Sequence, residues 1–361
     1  MFSSLLAAVG YDAVRTALMD AARLSSAEGM VIPPLKSPIP LIPVELDPPE
    51  HAKYHRFLVP HFRPERVELW TDMIRETVDR IIDGFIEQGE ADLVLIGRQL
   101  PPPIIAAILG VPEDGPKMVE LTNWLNTAAQ QGDAEGRAAA NAAMFQYVDS
   151  IVTAAEHDPG RDDLLGTIVT ATVDGKPLTH MAAVATVITI VIAGQETTVN
   201  GISSMLALLG KNPEARARLV EEPSLIPAAV EESVRMESPV QMIARTAVVD
   251  GELAGSSYGP GDKVGLVLGA ANHDPHQFEN PEEFRLDRGR VRHVGFGHGS
   301  HRCLGEHLAR LEMAVVAEQV LSRLPDYIFA GRVEHWANTA FNRGVKSMPV
   351  TFTPGPKIYV D

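Results

Sequence analysis

The sequence is very poor in cysteine. Cys303 is the only one among 361 residues. A single cysteine excludes an internal disulfide bond, and it cannot hold an iron–sulfur cluster by itself. Chains with a free thiol and no disulfide are typical of reducing compartments. The cysteine content therefore predicts a cytoplasmic protein that has no iron–sulfur centre of its own.

Positive charge is also scarce. The chain has 31 lysines and arginines against 47 aspartates and glutamates, so its formal net charge is −16. Nonspecific binding to nucleic acid depends on a surplus of Lys and Arg, and we therefore expect no nucleic-acid partner. Residues 1–14 contain no Lys or Arg, so they lack the basic start of a secretory signal.

Long apolar runs are missing too. The longest, residues 181–194, contains two threonines and is shorter than the ~20 residues that a membrane-spanning helix needs. We expect no membrane association, and the length is sufficient to bury a large core.

The glycines at 295, 297 and 299 are not followed by Gly-Lys-Ser/Thr, so they form no phosphate-binding loop.

The apolar periodicity that is present predicts a mainly α protein with small β-sheets. Helical patterns cover residues 11–24, 50–59, 67–88, 104–109, 118–131, 134–155, 162–173, 179–209, 212–221, 224–236 and a final helix that ends near 324. Strand-like patterns cover 241–268 and 345–359, and a turn at 174–177 joins two short strands. The Pro-rich residues 32–49 predict a long extended loop. Regular alternation of strand and helix, which a doubly wound fold would show, is missing.

The lone cysteine lies in Phe296-Gly297-His298-Gly299-Ser300-His301-Arg302-Cys303-Leu304-Gly305, directly before the helical pattern 306–321. A helix N-terminus favours a thiolate, and the glycines allow the backbone to approach a bound group closely. Three interpretations follow from these residues alone. The cysteine is held as an anion against a flat or bulky partner, it forms a zinc site with His298, His301 and His307, or it is a buried structural residue.

A second unusual stretch, Ala193-Gly194-Gln195-Glu196-Thr197-Thr198, lies inside the longest helical pattern. A carboxylate and two hydroxyls are costly to bury unless they are used or paired. Gly194 weakens a helix, and a threonine hydroxyl can bond the carbonyl four residues back, so we expect a local kink. By themselves these residues favour a functional site and an ordinary core helix equally.

The spacing Phe296-x-x-Gly299-x-x-x-Cys303-x-Gly305 resembles the haem-binding signature of the cytochrome P450 family. The stretch 193–198 resembles the oxygen-activation motif of the same family. The resemblance extends over residues 11–352 and implies the triangular, mainly α fold with small sheets as a single domain, 1–361. It implies haem b between the long central helix and the cysteine-loop helix. Cys303 would be the axial ligand of the iron, Thr197 would steady dioxygen, and Glu196 would take part in proton delivery.

The resemblance assigns further residues around the haem. Residues beside the haem are Ala193, Phe296, Gly297 and Gly305, those at its propionates are His51, His55, Arg245 and His301, and a structural ion cluster is Glu232, Arg235 and Arg288. The family commonly has arginine where His55 stands, which predicts weaker or more pH-dependent anchoring. Family members usually have a longer N-terminal portion, which leaves open whether the first sheet and one wall of the access channel form here.

The implied substrate pocket is almost wholly apolar. Its positions are Val31, Ile32, Leu35, Trp124, Ile190, Val191, Val240, Met242, Ile243, Val345 and Met348. Such a lining predicts a hydrophobic small molecule as the substrate. The implied activity inserts one oxygen atom from O2 into that molecule.

The implied electron donor is a separate ferredoxin or flavodoxin-like protein with its reductase. It would dock on a patch formed by Arg63, Arg66, Arg302 and Arg310, and the enzyme would be a monomer. Two alternatives remain. One is a peroxide-driven oxygenase, which the Glu196–Thr197 pair disfavours, and the other is a non-catalytic haem- or zinc-binding protein.

Overall fold

The computed structural model describes residues 5–32, 40–131, 133–158, 160–336 and 341–359, without the side chains at 126 and 128–131. The α-helices are α1 (Tyr11–Met19), α2 (Glu50–Leu58), α3 (Pro64–Val67), α4 (Thr71–Asp83), α5 (Val94–Gln99), α6 (Pro101–Leu109), α7 (Gly115–Gln131), α8 (Ala134–Glu156), α9 (Leu164–Thr170), α10 (His180–Ala193), α11 (Glu196–Lys211), α12 (Pro213–Glu221), α13 (Ile226–Glu237), α14 (Leu268–Ala271) and α15 (Glu306–Arg323). Helix is the main element of the fold, as the periodicity predicts.

The strands are short. They are β1 (Leu5–Ala8), β2 (Leu24–Ser25), β3 (Glu90–Asp92), β4 (Thr172–Val173), β5 (Lys176–Pro177), β6 (Ile243–Ala247), β7 (Gly251–Leu253), β8 (Ser256–Tyr258), β9 (Lys263–Leu266), β10 (Ile328–Phe329), β11 (Glu334–His335), β12 (Val345–Ser347) and β13 (Pro349–Thr351). The predicted pair of strands around the turn at 174–177 is present as β4 and β5. Residues 352–359 contain no strand, so the strand pattern predicted for 345–359 ends at Thr351.

The first sheet forms. Its strand order is β1-β9-β6-β2, with β1 parallel to β9 and Leu5 opposite Lys263. The few residues before α1 are therefore sufficient to supply an edge strand. This sheet and α1 share an apolar cluster that includes Val14, Val264 and Leu266.

The long apolar pattern at 179–209 is two helices rather than one. Thr179 caps α10, since its side chain accepts a hydrogen bond from the N–H of Ala182, and the break lies at Gly194 and Gln195. By length and composition His180–Lys211 could cross a membrane, but 56% of its apolar window is buried inside the protein. Burial of this kind is typical of a core helix.

The helices α10 and α11 run through the main apolar cluster together with α4, α5, α6, α13 and α15. Helix α15 packs against α4, α11 and α13. The segment that contains Cys303 leads directly into α15 and therefore starts from the rigid centre of the molecule. The packing places both unusual sequence stretches on core elements.

Candidate functional site

The cysteine loop is a tight turn built by its own backbone. The N–H of Cys303 donates to the carbonyl of Phe296 at 2.9 Å. Gly299 has a φ of +74°, and a Cβ there would lie 2.7 Å from the carbonyl oxygen of Leu18 in α1. Only glycine fits this position without a shift of the backbone. The loop thereby holds Cys303, which is exposed to solvent, just before the first turn of α15.

The thiol does not ionise easily in this setting. Although the residue has exposed surface, the protein atoms packed around it desolvate the thiol and raise the pKa of Cys303 to about 11. The Glu306 charge also raises it, whereas the Gly305 N–H and the Arg310 and Arg302 charges lower it. The Gly305 N–H at the helix start favours the thiolate, as expected, but the surrounding protein atoms oppose it. Desolvation outweighs the helix dipole and the nearby amide. A cation bonded to the sulfur would favour the thiolate.

The break between α10 and α11 leaves part of an otherwise buried helix pair with free surface. Ala193 is exposed and Glu196 and Thr197 are partly exposed, although most of the surrounding helix is buried. The Thr197 hydroxyl donates to the carbonyl oxygen of Ala193 at 2.8 Å, which is the predicted four-residue back-bond. Gln195 and Thr198 face the other way and are buried. The break therefore presents a hydroxyl and a carboxylate at an opening in an apolar helix.

Three histidines from two distant segments meet beside the cysteine loop. The His51 ring lies 5.2 Å from the His55 ring and 4.3 Å from the His301 ring. Burial is the main cause of the low pKa of His51, about 4, and of His301, about 3. Arg245 is only 5% exposed, and burial lowers its pKa to about 10. These side chains are costly to charge without anionic partners.

The acid that faces this cluster is already engaged. Asp47 accepts hydrogen bonds from the Ser25 hydroxyl at 2.5 Å and from the Ser26 N–H at 2.8 Å. The Arg245 side chain donates a hydrogen bond to the neighbouring carbonyl of Ala244 at 2.9 Å. A buried guanidinium and three imidazoles fit a ligand that brings carboxylates. The two propionates of haem meet this requirement.

A buried ion cluster supports the loop from behind. Glu232 accepts bonds from Arg235 at 2.8 and 2.9 Å and from Arg288 at 2.7 Å. The Glu232 and Arg235 side chains are both 0% exposed. Arg235 also donates to the carbonyl of Asn272 at 2.8 Å, and the Asn272 side chain accepts from the N–H of Val294 at 2.8 Å. Asn272 therefore connects the cluster to the start of the cysteine loop.

The zinc interpretation fails on geometry. Residues 298, 301, 303 and 307 are all described, but no three His, Cys, Asp or Glu side chains within the described ranges are placed to hold a metal ion. His301 turns instead toward His51, with its Nε2 3.3 Å from the Ser26 hydroxyl. Its imidazole therefore belongs to the cluster formed by His51 and His55.

Comparison with known proteins decides between the remaining interpretations. The family model "Cytochrome P450" matches residues 125–325. The chain belongs to the cytochrome P450 family. It is 33% identical over 364 residues to a steroid C26-monooxygenase of Mycobacterium tuberculosis (strain CDC 1551 / Oshkosh), covering 99% of this chain and 97% of the relative. It is 35% identical over 309 residues to cytochrome P450 107B1 of Saccharopolyspora erythraea. This match covers 84% of this chain and 75% of the relative.

Solved P450 structures confirm the fold. The himastatin-biosynthesis hydroxylase HmtN superposes with a TM-score of 0.86 at 28% identity, over 96% of this chain and 90% of the other. CYP108D1 from Novosphingobium aromaticivorans DSM12444 also superposes with a TM-score of 0.86, at 32% identity. The superposition covers 97% of this chain and 88% of the other. The protein is a bacterial P450 monooxygenase, and the family's cofactor is haem.

Not all the pocket positions are open to a ligand in this P450. Four of the predicted positions are partly exposed: Val31, Ile32, Val240 and Met242. Trp124 is 43% exposed, whereas the exposed fractions of Ile190 and Ile243 are only 8% and 7%. Val191, Val345 and Met348 are 0%, 1% and 0% exposed inside the main apolar cluster. Close packing therefore leaves these three side chains almost no free surface in this structure. Leu35 lies outside the described residues.

The predicted docking patch also changes. Arg63 and Arg66 are exposed, and the Arg302 side chain is 54% exposed and paired with Glu306 at 2.7 Å. Arg310 is instead held between Glu231 and Glu306, with its side chain 26% exposed. It is an internal partner of the cysteine loop rather than a free surface charge. Sequence reasoning missed Glu231 and His293 completely, since neither belongs to a motif.

Proposed function

We propose that this P450 is a haem b-thiolate monooxygenase that inserts one oxygen atom from O2 into a hydrophobic small molecule. A separate ferredoxin or flavodoxin-like protein, with its reductase, would supply the electrons. The proposal includes a cytoplasmic, monomeric enzyme that forms a single domain over 1–361. The observation that carries it is the tight loop that presents the lone cysteine in front of α15.

Haem, when bound, supplies the redox-active iron at which O2 binds and is reduced. Cys303 would ligate the iron, and Phe296, Gly297, Gly305 and Ala193 would lie beside the macrocycle. Arg245, His51, His55 and His301 would bind the propionates by charge and hydrogen bonding. This assignment gives the desolvated side chains of the cluster the anionic partners that burial otherwise denies them.

The residues at the helix break would handle protons. The Thr197 hydroxyl donates its hydrogen to the Ala193 carbonyl. The lone pairs of its oxygen can therefore accept a hydrogen bond from a proton-bearing group. Glu196 is adjacent and partly exposed, and a carboxyl group can hold and release a proton there. The pair would thus orient and deliver protons at the opening in α10 and α11.

The proposed substrate class follows from the apolar lining. Val31, Ile32, Trp124, Ile190, Val240, Met242 and Ile243 retain some exposure and offer shape and hydrophobic contact. Relatives are named steroid C26-monooxygenase, and CYP109E1 from Bacillus megaterium has been solved with corticosterone and with testosterone. We therefore propose steroids as the first class of ligand to test.

Two measurements test the proposal. The reduced, CO-treated protein should absorb near the position characteristic of thiolate ligation, and Cys303→His should move the band to that of an imidazole-ligated haem. A screen of apolar ligands, steroids first, should then identify compounds that shift the spectrum of the oxidised haem. Turnover of such a compound with NADPH and a surrogate ferredoxin pair is expected. Equal turnover with hydrogen peroxide alone would contradict the need for an electron donor.

A further inference from the structure

The Phe296 side chain of the cysteine loop is held by a cation. The guanidinium carbon of Arg310 lies 4.4 Å from the centre of the Phe296 ring. Arginine over an aromatic face is attracted by the ring quadrupole. The backbone of Phe296 also accepts the hydrogen bond from the Cys303 N–H at 2.9 Å. Arg310 therefore contacts the residue that closes the loop around the sulfur.

Two carboxylates fix the orientation of this guanidinium. Glu231 accepts from Nε at 2.5 Å and from Nη2 at 3.2 Å, and Glu306 accepts from Nη1 at 2.8 Å. A bidentate pair of this type gives geometric specificity as well as energy. The fork fixes the orientation of the guanidinium, whose central carbon lies over the phenyl ring at 4.4 Å from its centre. Thermal rotation of Arg310 is restricted as a result.

A histidine completes the support on the Glu231 side. His293 Nε2 lies 3.1 Å from Glu231, and the His293 side chain is only 3% exposed. The N–H of Gly295 donates to His293 Nδ1 at 3.1 Å, so the ring hydrogen lies on Nε2 and points to the carboxylate. Although burial opposes it, hydrogen bonds from His293 and Arg310 hold the pKa of Glu231 at about 2. Glu231 is therefore ionised at every working pH.

We propose that Arg310 is a positioning residue for the thiolate, which fixes the Phe296 ring and supplies a permanent positive charge beside Cys303. The inference rests on the proposed ligation of iron by Cys303. A fixed cation near the sulfur stabilises the more negative, reduced form of the iron–thiolate unit relative to the oxidised form. Loss of the charge makes reduction harder, and loss of the fork loosens the loop. The pairing of Arg310 with Glu231 and Glu306 also explains why its guanidinium is not a free charge on the predicted docking surface.

The test is the midpoint reduction potential of the haem-loaded protein, measured by spectroelectrochemistry. Arg310→Gln should shift the reduction equilibrium about tenfold toward the oxidised form, which is about 59 mV for one electron. Arg310→Lys keeps the charge and should shift it by less than half as much. Glu231→Gln removes the opposing anion and should shift the equilibrium the other way.

A matched control separates this role from simple stabilisation of α15. Arg323 lies on the same helix and pairs with Asp79 and Asp83, with its side chain 8% exposed. Arg323→Gln should lower the melting temperature but leave the potential unchanged. Unchanged potentials in both Arg310→Gln and Glu231→Gln would overturn the proposal, as would equal shifts in Arg310→Gln and Arg323→Gln.

The outcomes also separate this inference from the proposed function. If the wild-type carbonyl spectrum is not that of a thiolate-ligated haem, the proposed ligation by Cys303 is wrong. The proposed role of Arg310 is then wrong as well. If that spectrum is thiolate-type and the variants keep the wild-type potential, only the role of Arg310 is wrong. Should Arg310→Gln fail to fold, Glu231→Gln and Arg310→Lys still give the sign of the charge effect.

Discussion

The Thr197 hydroxyl is hydrogen-bonded to the carbonyl of Ala193 at 2.8 Å, across the break between α10 and α11. Thr189 makes the same kind of bond, to Ala185 at 2.8 Å, two turns earlier on α10. The two threonines differ in exposure, since Thr189 is 5% exposed and Thr197 is partly exposed at the break. The bond is therefore a common helical device, and only its position at the opening makes Thr197 a candidate for chemistry.

Replacement of Thr197 by Ala should uncouple electron consumption from product formation. The oxygen atom that accepts a hydrogen bond at the break is lost, so protons arrive without orientation. NADPH consumption should continue while hydrogen peroxide rises and product falls at least tenfold. The measurement is the ratio of product and peroxide to NADPH, with a ligand that the spectral screen identifies.

Thr189→Ala is the matched control for that experiment, because it removes the same back-bond from the buried part of the helix. It should lower stability slightly and leave coupling near the wild-type ratio. Equal loss of coupling in both variants would mean that helix geometry, rather than the Thr197 hydroxyl, controls the reaction.

Replacement of Glu232 by Gln should prevent haem incorporation. Removal of one member of a fully buried ion pair leaves uncompensated charge and costs about 3–5 kcal/mol, and here both Arg235 and Arg288 lose their anion. The haem-to-protein ratio after purification should fall to a small fraction of the wild-type value. Arg285→Ala is the control, since Arg285 pairs with Asp287 at the surface. A Glu232→Gln protein with full haem content would refute a structural role for the cluster.

Glu312 should make stability depend on pH. Burial raises its pKa to about 8 from an ordinary value of 4.5, and the residue is 1% exposed. Between pH 4.5 and 8 the folded state therefore binds more protons than the unfolded state, so the free energy of unfolding falls as the pH rises. The slope should reach about 1.4 kcal/mol per pH unit.

Melting temperatures between pH 5 and pH 8.5 measure this effect. Glu312→Gln should flatten the decline, because a glutamine cannot ionise. Glu318→Gln, at a site on the same helix that is 45% exposed, should keep the wild-type slope. Parallel slopes in the wild type and in Glu312→Gln would show that Glu312 does not titrate in this window.

His55 should make haem retention pH-dependent. Burial lowers the pKa values of His51 and His55 in the structure, and two propionates placed against them would raise these values. The haem-bound state would then hold more protons, so affinity should increase at low pH and be lost as the pH rises through the bound-state pKa.

Replacement of His55 by Arg should supply a permanent charge and flatten that profile. Transfer of haem to excess apomyoglobin at pH 6 and pH 9 measures the retention. The difference between the two pH values should shrink several-fold in His55→Arg, whereas His276→Arg at an exposed site should behave as the wild type. A wild-type protein that releases haem equally fast at both values would contradict the effect.

The family and the fold class were accessible from sequence because their signals are local. The Cys303 loop depends on glycines that permit one tight turn and on the helix that follows directly. Its spacing is set by the covalent chain. Fold class follows in the same way from the period of the apolar residues, and both predictions are confirmed. The kink near Gly194 was also predicted, although the structure shows a full break between two helices.

Other features depend on packing between distant segments. His51 and His301 are separated by 250 positions along the chain, yet their rings lie 4.3 Å apart. No pattern of neighbouring residues predicts that contact. The same holds for Arg310, which has the composition of a surface charge but lies against Glu231, 79 residues earlier. The sequence does not distinguish the buried Val191, Val345 and Met348 from the more exposed Val31 and Met242, because apolar side chains look alike in sequence.

The amino-acid sequence alone determined the lone thiol, its turn and the helical periodicity, since each arises from residues within a few positions of one another. Tertiary structure decided which charges are neutralised, which apolar side chains remain open to a ligand and how the sulfur is surrounded. The physical reason is that desolvation and pairing depend on atoms that the fold brings together. Neighbours along the chain do not specify those atoms.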